Sequence, residues 1–126
     1  MPRTSIETDS FRHANPIPAA SRIGPLLVSS IIGPRDPGGD GVPDDVGGQL
    51  SNLFRHVGAM LQAAGADWRH VAKMNFYVAD IAMRDAINKP WAEHFPDPES
   101  RPARHTQVLP TAGRFISCDF LAYVDD

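Results

Sequence analysis

The sequence predicts a two-layer α+β domain in the order β-β-α-β-α-β-β, with both helices on one face of a mixed β-sheet. Two segments carry apolar residues at spacings of three and four, which is typical of amphipathic helices. Other segments alternate between apolar and polar residues or form short apolar runs, as strands do. Proline and glycine separate these segments. The length of 126 residues predicts a single domain, over residues 1–126.

The N-terminal part predicts two strands. Residues 3–8 alternate in character, and residues 26–32 form an apolar run between Gly24-Pro25 and Gly33-Pro34. The glycine- and proline-rich residues 33–41 that follow predict a loop.

The first helix is the clearest element of the pattern. Asp44 or Asp45 is suited to cap its N-terminus, and Gly65 to the left-handed backbone after its end. The apolar stripe consists of Val46, Leu50, Leu53, Phe54, Val57, Met60, Leu61 and Ala64.

The next strand, residues 71–79, alternates between two faces. We expect Ala72, Met74, Phe76 and Val78 on the apolar face, and Lys73, Asn75 and Tyr77 on the polar one. A second helix over residues 81–95, capped by Asp80, should break or restart near Asn88, because Pro90 disfavours continuous helix.

Two strands complete the sheet, over residues 104–108 and 115–124, joined by a turn at residues 110–113. In the last strand Ile116, Cys118, Phe120, Ala122 and Val124 form the apolar face. The opposite face mixes polar groups such as Ser117 and Asp119 with large apolar ones, which favours burial against another subunit.

Composition narrows the possible functions. A net charge of −3, from 12 basic and 15 acidic residues, weighs against a general nucleic-acid binder. A single cysteine, Cys118, excludes an intrachain disulfide, and its position predicts a small buried apolar residue. No apolar run approaches the roughly 20 residues of a membrane span, and no signal peptide is visible, so we expect a cytoplasmic protein.

Common cofactor motifs are missing from the sequence. It contains neither of the glycine-rich phosphate-binding patterns, and its five histidines lack the spacing of metal ligands. The sequence therefore predicts no cofactor and no metal.

One set of residues carries a resemblance to a known family. Its most specific parts are an Ala-Ala-Gly segment, an asparagine at the predicted helix break and a Pro-Ala-Arg strand start. The set consists of Val28-Ser29-Ser30, Gln49, Ala63-Ala64-Gly65-Ala66, Val71-Ala72-Lys73-Met74, Asp80, Ile87-Asn88, Trp91, Phe95, Arg101-Pro102-Ala103-Arg104 and Leu109-Pro110. In this order and spacing, residues 15–124 resemble the RidA/YjgF family, the Rid superfamily of enamine and imine deaminases.

The resemblance implies a chorismate-mutase-like fold, a homotrimer and a cleft at each subunit interface. It implies that Arg104 holds the carboxylate of a 2-imino or 2-enamino acid while water replaces ammonia at the imine carbon. Asn88 and Ser30 match positions of the family's cleft.

The departures from the family pattern concern the groups around the reacting carbon. Ile17 stands where the archetype has a tyrosine, and Thr106 stands where it has a cysteine. Ser117 stands at the water-positioning glutamate, with Asp119 two residues further on. His13 is a candidate replacement as water activator or proton donor, because imidazole titrates near neutral pH.

Three alternatives remain open at this point. The substrate could be an aminomuconate-type catabolite, and the protein could instead bind a small carboxylate without catalysis. A ribonuclease or translation inhibitor, a description used in this family, is disfavoured by the acidic charge balance.

Overall fold

A six-stranded sheet is the framework of the computed structural model, which describes residues 1–109 and 115–125. The strands lie in the order β1-β2-β3-β6-β4-β5. They are β1 (Arg3–Ile6), β2 (Ala20–Ile23), β3 (Leu26–Ser29), β4 (Val71–Val78), β5 (Ala103–Val108) and β6 (Ser117–Tyr123). β4 and β5 pair in parallel and the other neighbours antiparallel, so the predicted mixed sheet is confirmed.

Two α-helices, α1 (Val46–Ala63) and α2 (Asn88–His94), cover one face of the sheet. The ring of Phe76 in β4 lies 6.1 Å from the ring of Phe54 in α1 and 6.3 Å from that of Trp91 in α2, between centroids. Both helices therefore pack against the same strand face, as predicted.

The ends of α1 follow the sequence signals. Of the two candidate caps, Asp45 is the one used, since its carboxylate accepts a hydrogen bond from the Gly48 amide at 2.8 Å. Gly65 follows the helix with a φ of 75°, the left-handed backbone for which glycine is favoured.

The second predicted helix is divided in two. A 3₁₀ segment, η2 (Ile81–Ile87), precedes α2, and Asp80 caps it by accepting a hydrogen bond from the Ala82 amide. The change of helix type at Asn88 confirms the predicted restart. Pro90 lies in the first turn of α2, where a missing amide hydrogen is tolerated. A short 3₁₀ turn, η1 (Trp68–His70), precedes β4.

The apolar core lies between the helices and the sheet. The predicted apolar face of the last strand is confirmed, because all five of its members are at most 5% exposed. In β4 the prediction is wrong at one position. A β-bulge between Val71 and Lys73 leaves Ala72 exposed and buries Val71 instead.

The N-terminal strands differ most from prediction. β2 was not predicted, because its four residues, Ala20–Ile23, follow the proline-rich loop and do not alternate clearly. The predicted strand over residues 26–32 ends at Ser29, and Ile32 contributes only an isolated bridge to Cys118. The predicted turn at residues 110–113 lies outside the described residues.

Gln49 joins α1 to the start of β6. Its side chain is fully buried, donates to the Pro43 carbonyl at 3.1 Å and accepts from the Ile116 amide at 3.0 Å. We expect Gln49→Leu to lower the free energy of unfolding by about 1–3 kcal/mol, because the buried amide of Ile116 loses this hydrogen bond. Gln62→Leu, the same change at an exposed position of α1, is the control in chemical denaturation. Equal midpoints for the two variants would contradict this role.

Candidate active site

Arg104 lies on the helix-covered face of the edge strand β5. The parallel register places it opposite Met74, which is fully buried beneath the helices. Its Nη2 donates a hydrogen bond to Oδ1 of Asn88 at 2.8 Å, and its Cζ stands 5.2 Å from the ring centroid of Trp91. The guanidinium is therefore held by α2 from two directions.

The start of α2 makes Asn88 available for this contact. Ile87, the residue before it, is fully buried and anchors the junction between η2 and α2. The asparagine side chain does not cap α2, since no side-chain cap is present there. Its amide oxygen is oriented toward Arg104 instead.

The surroundings of Arg104 suit an anionic ligand. Desolvation lowers the pKa of the guanidinium, and the nearby positive charge of Arg84 lowers it further, although arginine stays charged at any working pH. Among residues 1–109 and 115–125, no carboxylate forms an ion pair with Arg104. Thr106, two residues along β5, faces the same side opposite Phe76.

A second group of predicted site residues lies elsewhere. His13 and Ser117 line a common groove of about 430 Å³, together with Ile31 and Phe115. The Nε2 atom of His13 is buried and has no hydrogen-bond partner in the described part of the chain. An unsatisfied buried polar atom beside a groove is a candidate ligand contact.

Asp119 is engaged within the open sheet face. It accepts hydrogen bonds from the Tyr77 hydroxyl at 2.6 Å and from Nδ2 of Asn75 at 2.7 Å. The hydrogen bond to Asp119 raises the pKa of Tyr77 to about 12, with desolvation as a smaller cause. Because this carboxylate already has two partners, it is less suited to water handling than His13.

The remaining predicted residues have ordinary surroundings. The Ser30 hydroxyl donates to the Pro18 carbonyl at 2.8 Å, and Ile17 is 42% exposed on the same loop. His105 lies opposite Asn75 and so faces away from the Arg104 side. Cys118 is fully buried, which confirms the apolar role predicted for it, and burial raises the pKa of its thiol.

Arg104 and Ser117 lie on opposite faces of the sheet. Register places Arg104 opposite Met74, on the covered face, whereas Ser117 lies opposite Tyr77, on the open face. Successive residues of a strand point to opposite sides, so one chain does not bring Arg104 and Ser117 together.

Sequence reasoning missed His56. It is fully buried in α1, where its Nδ1 lies 2.6 Å from the Ser10 hydroxyl and its Nε2 lies 2.6 Å from the Arg35 carbonyl. These contacts connect α1 to the loops that contain Ser10 and Arg35. Residues of both loops line the same groove as His13. The sequence feature that indicates the burial of His56 is its position three residues after Leu53, on the apolar stripe of α1.

Residues 1–109 and 115–125 contain neither a metal-binding cluster nor a membrane-spanning helix. Within them, no three histidine, cysteine, aspartate or glutamate side chains group closely enough to hold a metal ion. None of the helices described is long and apolar enough to cross a membrane.

The chain folds as a two-layer α+β domain in which the Arg104 guanidinium has no ion-pair partner among residues 1–109 and 115–125. The family model for Endoribonuclease L-PSP matches residues 8–111, and the chain belongs to that family, which confirms the RidA/YjgF resemblance.

Individual relatives agree with this assignment. The chain is 32% identical to Reactive Intermediate Deaminase A, chloroplastic, of Arabidopsis thaliana. That match extends over 81 residues, which are 64% of this chain and 42% of the relative. Over 90 residues, 71% of this chain and 66% of the relative, it is 29% identical to 2-iminobutanoate/2-iminopropanoate deaminase of Capra hircus. The chain thus spans less than two thirds of the length of these curated relatives.

A solved structure confirms the fold. The crystal structure of RidA from the Antarctic bacterium Psychrobacter sp. PAMC 21119 superposes with a TM-score of 0.87 at 20% identity, covering 96% of this chain and 99% of that one. At this identity the likeness concerns the fold alone.

His56 makes the stability of the fold depend on pH. Burial lowers its pKa from the ordinary 6.5, so below that pH the unfolded chain binds a proton that the folded chain resists. Its contribution to stability is full above pH 6.5 and is lost as the pH falls. We expect Tm to drop between about pH 7.5 and 5.5, and His56→Gln to reduce that drop.

The exposed His105→Gln variant is the matched control, measured by thermal unfolding over the same pH range. This variant should show the same change of Tm with pH as the wild type. If His56→Gln shows that change as well, the titration belongs to other groups.

Proposed function

We propose that the chain is an enamine/imine deaminase that converts a carboxylate-bearing 2-imino or 2-enamino acid to the 2-keto acid and ammonia. The observation that carries the proposal is the guanidinium of Arg104, fixed by Asn88 and Trp91 and left without a carboxylate partner among the described residues. A planar guanidinium binds a carboxylate through two parallel hydrogen bonds, and both named relatives are deaminases.

The reaction requires little covalent assistance. Water adds across the C=N bond, its oxygen joining the carbon and a proton reaching the nitrogen. A second proton transfer then releases ammonia and leaves the C=O group of the keto acid. The protein therefore mainly positions substrate and water and transfers protons.

His13 is the proposed proton carrier, with Ser117 beside it. His13 and Ser117 line the same groove, and the Nε2 of His13 is buried without a hydrogen-bond partner among the described residues. An imidazole can take a proton from the attacking water and return one to the departing nitrogen. Thr106 and Asn88, on the Arg104 side, would contribute hydrogen bonds to the bound carboxylate.

Since Arg104 and Ser117 lie on opposite faces of the sheet, and His13 lines the groove beside Ser117, we place the complete site between two copies, in a homotrimer. Exposed apolar side chains on the open sheet face support such burial, with Leu26, Leu121 and Tyr123 between 41% and 60% exposed. Ile17, on the loop after His13, and Ser30, which follows β3 and bonds that loop at Pro18, would then border the cleft.

The same experiments also test two alternative functions. A carboxylate-binding protein without catalysis is favoured by the lack of the family glutamate, since Ser117 stands there. Binding of a keto acid without release of ammonia would support it. An aminomuconate-type substrate remains within the deaminase class.

Loss of the Arg104 guanidinium should weaken catalysis strongly. With a 2-imino acid generated in place, we expect Arg104→Gln to lower kcat/KM for ammonia release by about 100-fold, and Arg104→Lys to restore only part of it. Arg55→Gln, at an exposed arginine of α1, is the control. An unchanged kcat/KM in Arg104→Gln would contradict the role proposed for Arg104 in the site.

Mixing inactive variants tests the site between subunits. If His13→Ala and Arg104→Ala are each inactive, a 1:1 mixture reassembled at random should regain about a quarter of wild-type activity. Each recovered cleft would combine Arg104 from one copy with His13 from another. Light scattering should give a mass near three chains. A monomer, or a mixture without recovery, would contradict the shared site.

A further inference from the structure

We propose that the chain carries a second reactive centre, in which Ser10 is a nucleophile activated by His56 and is acylated by small, uncharged esters. Ser10 lies in the loop between β1 and β2, and His56 lies in α1. The proposed deaminase mechanism uses neither residue. The activity of this centre is the hydrolysis of a short-chain ester through an acyl-serine intermediate.

Hydrogen bonding fixes the protons of this serine–histidine pair. Nε2 of His56 lies 2.6 Å from the Arg35 carbonyl oxygen, which can only accept, so in the neutral ring this nitrogen carries the hydrogen. Nδ1 is then left with its lone pair. The Ser10 hydroxyl, whose Oγ lies 2.6 Å from Nδ1, donates its hydrogen there. The serine is therefore bonded to a base that a third group orients, which is the arrangement that activates a hydroxyl nucleophile.

Burial keeps the imidazole of His56 in its neutral, basic form. The residue is fully buried, and desolvation lowers its pKa from the ordinary 6.5. The ring can therefore accept the serine proton at neutral pH. The hydrogen bond to the Arg35 carbonyl and the charge of Asp36 act in the opposite direction and raise the pKa, so they stabilise the ring once it is protonated.

A groove gives a ligand access to the hydroxyl. Ser10 is partly exposed and lines a groove of about 310 Å³ together with Phe11, Gly38 and Gly39. This volume lies at the lower end of the range that small-molecule sites cover. The groove therefore suits a short acyl group better than a long one.

Charges around the groove favour an uncharged ester. Two guanidinium groups and two carboxylates line it, with Arg12 at 3.6 Å from Asp9 and Arg35 at 3.9 Å from Asp40. These four formal charges cancel, so a ligand that is itself an anion gains little there. The guanidinium groups can stabilise the negative charge that develops on the carbonyl oxygen of the ester during attack.

The reaction proceeds in two balanced halves. Oγ of Ser10 bonds to the carbonyl carbon of the ester while its hydrogen moves to Nδ1 of His56. The bond from that carbon to the alcohol oxygen then breaks, and the alcohol leaves with the proton from His56. Water repeats both steps on the acyl-serine, which releases the carboxylic acid and restores the hydroxyl.

Hydrolysis of p-nitrophenyl acetate by the full chain at neutral pH tests this centre. We expect Ser10→Ala and His56→Gln each to lower the protein-dependent rate by about 10-fold or more, because the nucleophile or its base is lost. Ser51→Ala, at an exposed position of α1, is the matched control and should keep the wild-type rate. A fluorophosphonate, whose P–F bond an activated serine breaks, should label the peptide that contains Ser10, as identified by mass spectrometry.

An equal rate in Ser10→Ala and the wild type, or a fluorophosphonate label on other residues only, would overturn the inference. If His56→Gln fails to fold, the variant Ser10→Cys tests the base instead. Its thiol should react with iodoacetamide faster than that of Ser51→Cys, and Cys118 is fully buried in both. Equal rates for the two thiols would also overturn it. Release of ammonia from an imino acid is a separate measurement, so failure of the deaminase proposal and failure of this one are distinguishable.

Discussion

The parallel pairing of β5 with β4 determines what the rest of the molecule can do. Each residue of β5 takes the face of its partner in β4, so Arg104 joins Met74 on the covered side and His105 joins Asn75 on the open side. A shift of one residue would exchange these positions and remove the arginine from Asn88 and Trp91. Parallel neighbours need a crossover, and here η2 and α2 provide it together with the two groups that hold the guanidinium.

The same register explains why polar chemistry is divided between two surfaces. On the covered side Phe76 packs against Trp91, and Arg104 contacts that ring and the amide oxygen of Asn88. On the open side Asp119, Tyr77 and Asn75 satisfy one another in a network. Such a network stabilises the sheet surface and occupies both oxygens of Asp119, which is why the proposed mechanism assigns proton transfer to His13 instead.

The sequence predicts most of the framework because its signals are local. Helical spacing, the Asp45 and Asp80 caps and the strand alternation each depend on residues a few positions apart. β2 escaped prediction because it is four residues long and is stabilised by pairing with β1 and β3. The exposed Ala72 depends on a bulge against β6, a partner about fifty residues away in sequence. The site shows the same limit. Arg104 was found from its motif, but its separation from Ser117 is a property of the assembled sheet.

Arg104 has no ion-pair partner among residues 1–109 and 115–125, and this affects both stability and the proposed ligand binding. Burial and a neighbouring charge both disfavour the arrangement around Arg104, and ion pairing with an acidic side chain would relieve it. Such a pair would also occupy the guanidinium and compete with any ligand carboxylate. The contacts actually present, an amide oxygen and an aromatic ring, orient the group while leaving its charge uncompensated. In the proposed function, an anion bound at Arg104 would gain from both the orientation and the uncompensated charge of the guanidinium.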